Sequence, residues 1–143
     1  MQVEKAIEKF LEGESIIVAG KTFDTDTVEE IRLETGDKIY WVRDGGDLWL
    51  SVDPESEEII LFHTVEEEID SSGDTVYFKG EDYEFEFEGI GRILDDGEET
   101  DEIIFRDFSG PDGEVLRAAE NTVSNEIETS IGTKITDEDL QEA

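Results

Sequence analysis

The 143-residue chain has no cysteine, one histidine, two prolines and only 11 lysines and arginines, and each scarcity removes a class of function. Without cysteine there is no disulfide, no thiolate metal site and no cysteine nucleophile. With His63 as the only imidazole, a histidine cluster around a metal is excluded. A Ser-His-Asp triad would have to use that one residue, which ends an apolar run with no nucleophile motif beside it. The glycines form neither a phosphate-cradling loop nor a dinucleotide fingerprint. No catalytic, cofactor-binding or metal-ligating residue is therefore assigned, and the chain is read as non-enzymatic. No apolar run approaches the ~20 residues that cross a bilayer. The first ten residues lack the basic start and apolar stretch of a secretory signal, so the expected location is the cytoplasm.

The few cations face 42 aspartates and glutamates, which gives a formal net charge of -31 and a pI near 4.1. Nucleic acid and anionic membrane surfaces are disfavoured, because binding them depends on cations that displace counterions. A protein partner is expected to bring a basic surface. Oxygen-rich loops at Asp24-Thr25-Asp26, Asp44 to Asp47, Asp70 to Asp74 and Asp95 to Glu102 resemble calcium ligand sets, but none has the spacing of an EF-hand loop, and no dedicated site is assigned. The charge admits two further readings. It is adaptation to a high-salt cytoplasm, or it makes the domain an acidic mimic of nucleic acid, with carboxylate rows such as Glu84, Glu86 and Glu88 filling a basic groove.

What remains is periodic. Val3, Ala6, Ile7, Phe10 and Leu11 mark an amphipathic helix over residues 1–13 that ends at Gly13. From Ser15 the period shortens to that of strands: 15–19, 27–34, 38–43, 47–52 and 58–63, then 75–79, 82–88, 91–94, 102–108, 114–118 and 125–131. Asp44-Gly45-Gly46-Asp47 predicts a hairpin loop. The strict alternation Tyr83-Glu84-Phe85-Glu86-Phe87-Glu88 predicts three rings on one strand face and three carboxylates on the other. Trp41 and Trp49 are read as core, and Arg43, Arg92, Arg106 and Arg117 as partners in local ion pairs. Val18 to Phe23 lines up with Phe78 to Tyr83, and Lys38 to Trp41 with Glu102 to Phe105. The expected fold is thus a single mainly β domain of two similar antiparallel units, meander or small barrel-like, at 14–72 and 73–135. They share one core, with the N-terminal helix in front and a short acidic helix or tail at 136–143, capped by Thr136.

The motif order Gly13-Glu14-Ser15-Ile16-Ile17-Val18-Ala19-Gly20-Lys21-Thr22-Phe23, Leu48-Trp49-Leu50-Ser51-Val52, Val76 to Tyr83, Phe105-Arg106-Asp107-Phe108 and Ile131-Gly132-Thr133-Lys134-Ile135 resembles the domain-of-unknown-function family 4178. The resemblance covers most of the chain after the first helix. One departure is Val115-Leu116-Arg117-Ala118-Ala119, where that family often carries a tryptophan after its penultimate hairpin. The resemblance implies a β-rich prokaryotic intracellular domain, often encoded near membrane-stress proteins, with no established activity and no catalytic residues to carry over. The expected function is a non-enzymatic interaction or accessory domain.

Overall fold

A computed structural model describes all 143 residues. Helix α1 (Val3–Leu11) is followed by β1 (Ile16–Val18) and β2 (Lys21–Phe23). Four strands then run as a meander: β3 (Thr27–Leu33), β4 (Lys38–Arg43), β5 (Leu48–Asp53) and β6 (Glu58–Val65). The chain continues through β7 (Thr75–Phe78), β8 (Glu81–Asp95), β9 (Glu98–Ser109), β10 (Glu114–Asn121), β11 (Ile127–Ile135) and β12 (Leu140–Glu142).

The strand order β3-β4-β5-β6-β11-β10-β9-β8 closes on itself through β3–β8 pairing, giving one eight-stranded antiparallel barrel, with β7 added beside the start of β8. The two β-units expected from the sequence are therefore replaced by a single closed barrel. Each half supplies four consecutive strands, and the joins are the long-range pairings Ile31↔Ile93 and Ile131↔His63. Closure satisfies the backbone groups that an open sheet would leave at its edges.

Alternation along each strand divides the chain between lumen and outer wall. Trp41, Trp49, Ile60, Phe62, Ile103, Phe105 and Val115 point inward. Val42, Leu50, Val52 and Ile59 point outward, where α1 and a small sheet of order β12-β1-β2 cover them with Phe10, Ile16, Val18, Phe23 and Leu140. The helical stripe is buried through Val3, Ala6, Ile7 and Phe10, but Leu11 is half exposed. A second cover, built by the β7–β8 hairpin, packs Val76, Phe78 and Tyr83 over Phe108 and Leu116. Burial, helped by the Glu114 carboxylate that accepts its hydroxyl, pushes the Tyr83 phenol up to about 12.

Two expectations fail locally. The three rings of the alternating segment do not share a face, because the register steps from Phe85↔Phe108 to Phe87↔Asp107, leaving Glu86 as an extra residue. This bulge keeps Tyr83 and Phe85 outside and turns Phe87 to the lumen side. The C-terminal helix is also absent: Asp137–Asp139 make one 3-10 turn, held by Asp139 Oδ2 accepting the Thr136 N–H at 3.1 Å, and the chain then extends as β12. Leu140 is required in the cluster under α1, opposite Val18, and a continued helix would carry it away.

Inward glycines make room for the rings. A Cβ on Gly132 would stand 2.3 Å from the Leu61 carbonyl oxygen and 2.8 Å from the Phe62 ring, and one on Gly89 would stand 2.3 Å from the Phe105 ring. Gly132→Ala is expected to cost about 1–3 kcal/mol, the usual scale of overpacking, because backbone rather than a flexible side chain must give way. Urea denaturation checks this, with unchanged stability as the contrary result.

Candidate functional site

The lumen of the barrel is where chemistry concentrates. Arg117 projects inward from β10 and Asp107 from its neighbour β9, at directly paired positions, so their side chains meet inside the wall. Arg117 Nε and Nη2 donate to the two Asp107 oxygens at 2.7 and 2.8 Å, and Nη1 donates to Ser51 Oγ at 2.8 Å. Only 3% of Arg117 and 6% of Asp107 is exposed. The guanidinium carbon lies 4.5 Å from the Phe105 ring, 4.8 Å from Phe62, 5.5 Å from Trp41 and 5.8 Å from Trp49, all within cation–π reach. The Trp49 indole donates to Ser130 Oγ at 3.0 Å.

A cation between two carboxylates stands at each end of this centre. At one end Arg43 makes a fork to Glu128, with both bonds 3.0 Å, and a third bond of 3.1 Å to Glu29. Burial works against its charge, and the Glu128 and Glu29 carboxylates outweigh this, raising its pKa further above the ordinary arginine value. At the other end Lys134 lies 3.5 Å from Glu58 and 3.6 Å from Glu86, the bulge residue of β8. Burial likewise opposes its charge while Glu58 and then Glu86 restore it, so its pKa is raised. Beside Lys134 a mouth cavity of about 310 Å³ opens, lined by Asp53, Ser56, Glu58, Glu86, Phe87 and Asp107.

The charged groups of this region are held by one another or by their own turns. Asp107 is held by two guanidinium bonds, Glu58 and Glu86 by Lys134, and Asp53 by the N–H groups of Glu55 and Ser56. Two hydroxyl residues stand among them: Ser56, whose N–H donates to Asp53, lines the cavity, and Ser51 shares the Arg117 guanidinium with Asp107.

The model of a family described as Domain of unknown function (DUF4178) matches residues 12–137. The chain belongs to the DUF4178 family. No curated protein and no solved structure matches it. The DUF4178 match takes in the whole barrel with the β1–β2 hairpin, whereas α1 and β12, which pack on its outer wall, lie outside the matched span.

Within this DUF4178 barrel the residues singled out in the sequence are scattered. His63 is exposed on the outer face of β6, opposite Leu48 and Ile131 and away from the lumen. Trp41 and Trp49 are core, stacked around Arg117. Arg43, Arg92, Arg106 and Arg117 all stand in ion pairs. The acidic loops largely serve their own turns: Asp44 accepts the Gly46 N–H, and Asp70 accepts from Ser72. Glu84, Glu86 and Glu88 do not form a row, because Glu84 accepts from Thr75, Glu86 faces Lys134 and Glu88 faces Arg106. Asp107, Ser51 and Lys134 belong to the family motifs, but nothing in the sequence gave them a place in one site. The available signal was a charge within each apolar strand, in Ile103 to Phe108 and in Val115 to Ala119.

Proposed function

We propose that this domain is a non-enzymatic accessory module that holds a protein partner on a rigid barrel, with its acid shell adapted to a high-salt cytoplasm. The observation that carries the reading is that the ionisable groups of the lumen and its mouth are engaged by one another or by their own turns, so the interior braces the wall instead of presenting a reactive group. The outer surface is left to do the work, and its charge favours a partner with basic residues. The membrane-stress setting implied by the family resemblance is the context in which to seek that partner. The test is a turnover screen of the purified domain against esters, phosphoesters, glycosides and peptides, with Glu86→Gln and Asp53→Asn in parallel. No turnover is expected. Turnover by the wild type that either substitution abolishes would overturn the proposal.

A further inference from the structure

The outer wall has two covers and one open strip between them. The small sheet and α1 cover Val42, Leu50, Val52 and Ile59, and the β7–β8 hairpin covers Leu116 and Phe108. Between the covers run the cross-strand rows Leu48↔His63↔Ile131 and Leu61↔Thr133 on β5, β6 and β11. Two cavities of about 210 and 390 Å³ lie along this strip and share Leu48 and Leu61 as lining. The first is bordered by Val18 and Phe23 of the small sheet, the second by His63 and Ile131.

The small sheet stops short of the strip. β2 pairs with β1 on one side only, so its other backbone edge is unpaired and borders the first cavity. A further strand there would continue the order β12-β1-β2 across Leu48 and Leu61, burying the strip as β1 and β2 already bury Leu50 and Val52. The strip spans two inter-strand spacings, about 10 Å, which admits one extended chain with its side chains. Its lining includes only two carboxylates, Asp112 and Glu114 at the far end, whereas the molecule around it carries -31.

We infer that the edge of β2 accepts an extended segment of a partner protein, with apolar side chains at alternate positions over Leu48, Leu61 and Ile131 and basic residues between and beyond them. This rests on the partner-binding reading above and says where and how the partner lies. Backbone pairing and the apolar strip supply the register, and the acid surround selects basic flanks.

The probe is a fluorescein-labelled nine-residue peptide of alternating lysine and valine, compared with a peptide of the same composition in blocks. Binding is read by anisotropy at 0.1 M and 1 M KCl and by amide shifts of the labelled domain. The alternating peptide is expected to bind at least tenfold more tightly than the block peptide, to retain binding at 1 M KCl, and to shift Thr22, Phe23, Leu61 and His63. Leu61→Glu should weaken it at least tenfold while leaving the thermal midpoint within a few degrees. Equal binding of both peptides that vanishes at 1 M KCl would overturn the docking strip and leave the acid surface as the partner site. No binding of either peptide at 0.1 M would count against the partner reading itself. Shifts confined to the free edge of β7, or self-association of the domain alone through β2, would each overturn this assignment of site or occupant.

Discussion

Asp107→Asn lowers the unfolding free energy by about 3–5 kcal/mol, the range for removing one member of a buried ion pair. The cost is high because of what is left behind. Arg117 is sealed among Trp41, Trp49, Phe62 and Phe105, and a guanidinium cannot shed its proton to escape an apolar site. Arg117→Met costs less than Asp107→Asn, since Asp107 also lines the mouth cavity, from which water reaches its carboxyl. A methionine thioether also fits among aromatic rings. The double variant Asp107→Leu with Arg117→Met falls nearer the wild type than Asp107→Asn does, because no charge is stranded. Urea midpoints for the three variants decide the matter. A loss below about 1 kcal/mol for Asp107→Asn would mean that the pair is solvated and is no brace.

That pair also shows where the sequence stopped being legible. The flanks of Arg117, Val115-Leu116 before it and Ala118-Ala119 after it, are apolar on both strand faces, so the arginine has no solvated side to occupy. The local ion pair expected of it is present, but its burial was not legible, because composition says nothing of which face a residue takes. Helix α1 was legible because its period is local, and the β4–β5 hairpin because its glycines mark the loop. Barrel closure was not, since Ile31↔Ile93 and Ile131↔His63 join residues more than sixty apart with no short-range signal. The bulge at Glu86 was hidden by the very regularity of the alternation, as an inserted residue of the same polar type leaves no trace in the pattern. The mouth followed it into obscurity, because Glu86 reaches Lys134 only through that bulge. Gly89 and Gly132 fall just outside the strands that the pattern marks, at 82–88 and 125–131, and nothing local shows that each vacates the volume that an aromatic ring fills.

The thermal midpoint rises by on the order of 10 °C from 0.1 M to 1 M KCl and goes on rising towards 3 M, a first step that corresponds to about 3 kcal/mol in a chain of this size. Nine of the 11 cations stand in ion pairs, and these engage eleven of the 42 carboxylates, so 31 carboxylates have no cation within bridging distance. Folding gathers those charges onto one small surface, and their repulsion opposes the compact state more than the extended one. Screening accounts for the first part of the rise, but the Debye length is already ~3 Å at 1 M, so little screening remains to be gained beyond it. Continued stabilisation above that point requires cations and water held in the acid shell, which is the signature of salt adaptation. A plateau by 1 M would instead assign the charge to a basic partner. The two outcomes bear differently on recognition. In a cytoplasm salty enough to need the shell, long-range attraction is screened away, and a partner must be held by the contacts that salt strengthens or leaves alone. The apolar strip beside β2 offers contacts of that kind. A midpoint that climbs past 1 M therefore also predicts that partner affinity falls little over the same range.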